Sequence, residues 1–223
     1  MTIKINDTEY SFNTSFNEFT IDEYLPLLSV INLPIIERVS KYTSIPIEIL
    51  NSIALENVSA IIEAVSFIEN YSVLNALAVP YLGTDIGLQS FGKFEQAKSK
   101  TIIEIVEIYT GEKIIGKPLL EVWNMCQFYS NSLNGFVNKF KKLNLHEYTD
   151  EELEADVEVL EGFKHYGIVF TYGKNRGMTN DQVLNLPAIE VYTELLYDYE
   201  RAEYEKRYNQ VMQQHQEHFN KLV

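Results

Sequence analysis

A chain of 223 residues, 46% apolar and 22% charged, is sized for one large domain or two small ones with real cores. Its formal net charge of −14 works against general binding to nucleic-acid phosphates or anionic lipid. The single cysteine, Cys126, rules out an intramolecular disulfide. The opening MTIKINDTEY has no apolar signal region, and no uncharged apolar run approaches the ~20 residues of a membrane span, so a soluble, intracellular protein is expected.

Residues 2–12 alternate. Ile3 and Ile5 fall on one face, Lys4 and Asn6 on the other, and Tyr10 and Phe12 resume the pattern beyond Asn6-Asp7. This predicts a β-hairpin with one apolar face. A lone hairpin is marginal, so it must dock, and the helix that follows is the expected platform. Thr20-Ile21-Asp22-Glu23 fits a capping box and predicts a helix through Leu25, Leu28 and Ile31. Pro34 opens the next helix, through Ile35, Ile36 and Val39, and Pro46 a short one through Ile49 and Leu50. From about Ala54 to Asn70, apolar positions 55, 58, 62, 65 and 68 step by three or four and predict one buried stripe.

Pro80, Gly83, Gly87 and Gly92 interrupt residues 78–93. They divide the chain into residues 1–80, a hairpin plus helices, and residues 81–223, a helical domain ending in a long helix. In the second part, Ile102, Ile105, Val106 and Tyr109 form a stripe that stops at Gly111. Pro118 restarts a helix to about Leu145, with Trp123, Cys126, Phe136 and Phe140 expected in the core. Thr149-Asp-Glu-Glu152 is a second capping box, opening a helix that turns Leu153, Val157, Leu160 and Phe163 inward and ends near Tyr172-Gly173. Thr179-Asn-Asp-Gln182 caps a short helix, and Pro187 opens a last one reaching Phe219. The fold class expected is mainly α, a helical bundle with a small N-terminal β-hairpin and a long C-terminal helix.

One phrase occurs twice. Laid without gaps, EILNSIALENVSAII (48–62) places Ile49-Leu50-Asn51 on Val183-Leu184-Asn185 and Ala54-Leu55-Glu56 on Ala188-Ile189-Glu190. Each copy reads as a short helix, a break and a longer helix, with Glu56 and Glu190 at the positive dipole end. Convergence on good helix-turn-helix chemistry and duplication both fit, and either way the unit is a packing device.

No constellation spells out a reaction. Gly87-Leu-Gln-Ser-Phe-Gly92-Lys93 has the spacing of a phosphate loop, but Phe94 stands where a magnesium-holding Ser or Thr belongs, and no strand precedes it. Gly173-Lys-Asn-Arg-Gly177 reads as an anion-binding turn through Lys174 or Arg176, or as a solvated interhelical turn. His215 and His218 have metal-ligand spacing, but with no third ligand nearby they fit a polar helix face. The carboxylates of residues 150–161 interleave with Leu153, Val157 and Leu160, as on an acidic helix face, and lack the order of a calcium loop. Lys139, Lys141 and Lys142 are a possible local basic patch. No catalytic residue, cofactor or metal is expected.

Three segments carry a resemblance. IKINDTEYSFNTSFNEFTIDEYLPL, YTSIPIEILNSIALENVSAIIEAVSFIEN and MTNDQVLNLPAIEVYTELLYDYERAEYEKRYNQVM, about half of the chain, resemble the opening, following and closing segments of small tail-assembly proteins of tailed bacteriophages. The resemblance implies a non-enzymatic role in virion morphogenesis, as a tail-assembly chaperone or a minor component of the particle. It implies other phage structural proteins or self-association as partners, with no nucleic acid or membrane. It places the protein in the host cytoplasm during assembly or in the virion. The alternative with the same physical profile is a cellular helical adaptor or regulator. The candidate interface lies on the last helix, where Tyr199, Tyr204, Tyr208, Val211, Met212 and Phe219 sit among charges.

Overall fold

The computed structural model describes residues 1–144, 153–156, 159 and 163–220. It is mainly α-helical, with a two-stranded N-terminal hairpin and a long C-terminal helix. Two units are formed. The first is Met1–Gly83 with Thr110–Phe128, and the second is Thr84–Tyr109 with the described residues from Tyr129 onward.

The first unit opens with β1 (Thr2–Ile5) and β2 (Thr8–Ser11), paired antiparallel with Ile5 opposite Thr8. Asn6 and Asp7 both take left-handed φ values, 47° and 62°, the type I′ geometry that matches strand twist. Phe12 is buried, while Ile3, Ile5 and Tyr10 are half-buried. The wall opposite Ile3 and Ile5 is α4 (Leu55–Val65) and not the helix that follows the hairpin.

That following helix, α1 (Ile21–Leu28), has the predicted capping box, with the Thr20 amide donating to the Glu23 carboxylate at 2.9 Å. Next come α2 (Ile35–Thr43), α3 (Ile47–Ser52), α4 and α5 (Tyr71–Ala76). The buried face of α4 and its 3-10 extension is Val58, Ile61, Val65 and Ile68. The expected stripe is therefore rotated: Ile62 is half-buried and Leu55 is 80% exposed. Phe16, Phe19, Tyr24 and Phe67 meet edge to face or tilted, with centroids 5.0 to 6.1 Å apart. The Tyr24 hydroxyl donates to Ile68 O at 3.0 Å.

In the second unit are α6 (Phe91–Ala97) and α7, which runs Ile102–Thr110 and ends at the edge of the first unit. The helix α8 (Leu119–Lys139) gives its residues up to Phe128 to the first unit and the rest to the second. Of its expected core residues, Phe136 and Phe140 are buried, whereas Trp123 and Cys126 are half-buried. The Trp123 indole instead donates to Asn75 at 3.1 Å, so its polar edge sets its position. Then follow α9 (Lys164–Arg176), α10 (Asn180–Asn185) and α11 (Ala188–Asn220). Leu153 and Phe163 are exposed and do not turn inward. Val157, Leu160 and the Thr149–Glu152 box lie outside the described residues. The helix expected to end at Gly173 continues to Arg176, with Gly177 as the left-handed cap at φ 67°. Gly173 is buried there, and the position has no room for a side chain, since a Cβ would meet Met178 O at 2.8 Å.

The repeated phrase survives as structure, one residue out of the gapless register. Ser44 and Gly177 are left-handed caps, and each is followed by a six-residue helix (α3, α10), a two-residue break, and a long helix (α4, α11). In this register buried Leu50 matches buried Val183, and Val58 matches Val191. A third copy lies between them. IIERVSKYTS (35–44) and IIEIVEIYTG (102–111) share Ile-Ile-Glu, Val, Tyr and Thr at the same positions, and PLLEVW (118–123) parallels PAIEVY (187–192). Both α2 and α7 are nine residues long, bury the shared Val and Tyr, and stop at a left-handed residue, Ser44 or Gly111.

One difference between copies is testable. The Tyr42 hydroxyl donates to Glu69 at 3.1 Å, alongside the Arg38–Glu69 ion pair at 2.5 Å. The equivalent Tyr109 hydroxyl is buried without a hydrogen-bond partner among the described residues. Tyr42→Phe should lower unfolding free energy by about 1 kcal/mol, while Tyr109→Phe should leave it unchanged or raise it by up to about 1 kcal/mol. Paired urea titrations read the opposite signs.

Candidate functional site

Three places could carry a function: an apolar groove on the first unit, the glycine-containing loop before α6, and the outer half of α11. The groove of about 420 Å³ runs between the hairpin and α4. Met1, Ile3 and Ile5 form one wall and Ile53, Ala60 and Ile61 the other, with Lys4 at the rim. Its lining offers shape and apolar area, without a cluster of titratable groups.

The phosphate-loop look-alike is a helix cap. Gly87 N donates to Asp85 Oδ1 at 2.7 Å, so a carboxylate of the chain holds that amide. Ser90 caps α6 by accepting from Lys93 N at 3.3 Å, which places Gly92 and Lys93 inside the first helical turn. Phe94 is buried against Phe136 and Tyr192, at 4.7 and 5.3 Å between centroids.

Residues 173–177 lie at a helix C-terminus, where carbonyls face outward and an anion is disfavoured. Arg176 pairs with Glu194, stands 4.0 Å from Asp198, and covers the Tyr172 ring at 3.8 Å. The basic patch is partly engaged as well. Lys142 pairs with Glu200, whose carboxyl is held below its ordinary range by that hydrogen bond, and Lys139 sits over the Phe140 ring. His215 is exposed on α11; the His218 side chain and most of the acidic stretch 150–161 lie outside the described residues. Among the described residues, no three His, Cys, Asp or Glu side chains converge on a metal position.

Burial pushes the Cys126 thiol up to about 11. Little of it is thiolate at neutral pH, so it is a poor nucleophile. Its alkylation by iodoacetamide at pH 8 should run roughly 100-fold slower than that of a free cysteine, as followed by intact-mass spectrometry.

On α11, Tyr199 is half-buried, while Tyr204, Tyr208, Val211 and Met212 are 60%, 52%, 48% and 50% exposed. Every described side chain from Tyr204 to Gln216 is exposed, and the Phe219 side chain lies outside the described residues. The rings of Tyr204 and Tyr208 stack at 6.1 Å along the helix itself. Sequence reasoning missed the groove, because its walls come from residues 1–6 and 53–61, which share no motif. No described helix is long and apolar enough to cross a membrane.

No protein-family model, curated protein or solved structure matches the chain.

Proposed function

We propose that this protein is a non-enzymatic assembly factor acting through protein–protein surfaces, and that its setting is bacteriophage virion morphogenesis, as a tail-assembly chaperone or a minor structural component. The outer half of α11 is the observation that carries the first part. A helix that exposes Tyr204, Tyr208, Val211 and Met212 on one side, amid charges, has the composition interfaces favour and gains nothing from folding on its own. The second part rests on the resemblance of the opening, the 42–70 segment and the closing segment to phage tail-assembly proteins. The partner class is another phage structural protein. The test is co-expression with the proteins encoded by adjacent genes. Co-purification of a tail-tube or tape-measure protein with this chain, lost with Tyr204→Asp/Tyr208→Asp, is the expected result. Neighbours of cellular metabolism, with no binding to tail proteins, would reject the viral setting and leave an adaptor role.

A further inference from the structure

The hairpin turns one of its edges toward the apolar groove of the first unit. Met1 and Phe12 form a hydrogen-bonded pair: the Met1 amine donates to Phe12 O at 2.7 Å, and Phe12 N to Met1 O at 2.9 Å. Such pairs alternate along an antiparallel ladder, so Ile3 with Tyr10 and Ile5 with Thr8 are the next ones. Thr2 and Lys4 therefore direct their N–H and C=O groups away from β2. Both residues are exposed, and these backbone groups take no hydrogen bond among the described residues. The same alternation sends the Ile3 and Ile5 side chains to the face opposite that of Thr2 and Lys4. The 2.9 Å contact between the Thr2 and Ser11 hydroxyls marks the outer face.

The groove follows this edge. Met1, Ile3, Lys4, Ile5 and Asn6 line it from β1 and the turn, and β2 adds none of its residues. The other wall runs from Ile53 to Ile61, along α4 and the residues just ahead of it. The walls match in length, about 13 Å for four steps of strand and about 12 Å for eight of helix, which is room for about four extended residues. A strand edge facing a helix across an apolar floor accepts an added strand, with main-chain bonds to the edge and alternate side chains in the floor.

Charge at the rim selects the strand. Glu56 and Glu63 lie four residues before and three after the groove-lining Ala60, so they flank it along α4. Both are exposed and make no ion pair among the described residues. The Lys4 ammonium on the opposite rim is paired with Asp7 at 3.0 Å, which leaves the rim negative. We propose that this groove takes an extended peptide of a partner protein as a third strand on β1, with apolar side chains at every second position and Lys or Arg between them. A second copy of the chain is a poor occupant, since it brings Glu56, Glu63 and a net charge of −14 to a rim that is already negative. The proposal is independent of the α11 face and of the viral setting.

The probe is a fluorescein-labelled peptide, Lys-Val-Lys-Val-Lys-Val-Lys, titrated with the full chain at low ionic strength and read by fluorescence anisotropy. Binding should weaken at least about tenfold in Glu56→Lys/Glu63→Lys, where two attractive contacts become repulsive. Lys4→Pro removes the edge N–H without touching a ladder bond, so it should melt with the wild type and bind about fivefold more weakly. Of two peptides N-methylated at alternate residues, one should bind at least about tenfold more weakly and the other like the parent, because only every second amide of an added strand faces β1. This comparison reads the same contact should Lys4→Pro fail to fold. No binding by the wild type, equal binding of the two N-methylated peptides, or full affinity in a folded Lys4→Pro variant would each overturn the proposal. So would a wild-type dimer in sedimentation velocity that is lost in Lys4→Pro, because a second copy would then hold the edge.

Discussion

Replacing Tyr192 with alanine is expected to lower stability by about 4 kcal/mol and the melting temperature by roughly 10 °C. Tyr192 is the hub of the second unit. Its ring lies 5.3 to 5.8 Å from those of Phe91, Phe94, Phe136 and Phe140, and its hydroxyl donates to Glu95 at 3.1 Å. The Glu95 side chain is only 4% exposed, and Lys98 pairs with it at 2.5 Å while lying over the Phe94 and Tyr192 rings. Truncation to alanine opens a cavity among four rings and removes a donor from a buried carboxylate at once. Tyr192→Phe removes the donor alone and should cost about 1 to 2 kcal/mol, because Lys98 still serves Glu95. Thermal melts of the two variants separate packing from hydrogen bonding.

The same burial makes the fold sensitive to alkali. Burial disfavours the phenolate and pushes Tyr42 and Tyr172 up to about 12, and it raises Tyr24, Tyr109 and Tyr192 well above the ordinary phenol range. A group that keeps its proton in the folded chain but loses it near pH ~10 when unfolded stabilises the fold fully below that pH. Above it, only the unfolded chain releases the proton, so stability falls as pH rises. Melting temperature should therefore hold up to about pH 10 and drop steeply beyond. Absorbance at 295 nm should show these tyrosines ionising together with unfolding instead of ahead of it.

What could be read from the sequence was the local chemistry. Two capping boxes, Thr20–Glu23 and Thr179–Gln182, and the Asn6-Asp7 turn are where side-chain type and spacing decide the backbone within four residues. The misjudged positions depend on partners distant in sequence. Leu55 has the right period for burial and yet is 80% exposed, whereas Leu119 and Ala188, each the first residue of its own helix, are fully buried against segments distant in sequence. Gly173 reads as a helix stop, yet it is there for the close approach of Met178. The strongest repeat, residues 35–44 against 102–111, was visible as identity at six positions. The break that follows differs between those copies, a six-residue helix in one and a turn in the other, and that insertion hides the longer match. The candidate interface residues on α11 stood out because aromatic and Met side chains recur at helical spacing where the rest of the helix is charged. The groove did not, since apolar residues at 3, 5, 53 and 61 look like any other core positions until the chain is folded.

Truncation after Ala202 is expected to leave the melting temperature within about 2 °C of the full chain and to abolish capture of the partner. Up to Glu200, α11 is held by buried Ala188, Val191 and Tyr192, by the backbone bridge between Ser90 and Pro187, and by the ion pairs of Glu194 with Arg176 and Glu200 with Lys142. Beyond Arg201 the described side chains from Tyr204 to Gln216 are all exposed, and the ion pair Arg201–Glu205 runs along the helix itself. Among the described residues this portion carries no buried apolar side chain, so the fold should lose helical circular-dichroism signal without losing stability. A free helix of this polarity frays in water, and a partner that covers the Tyr204–Met212 face would order it. A fall of roughly 10 °C in melting temperature would instead mean that the helix end is part of the chain's own core, and the α11 face would no longer stand as a binding surface.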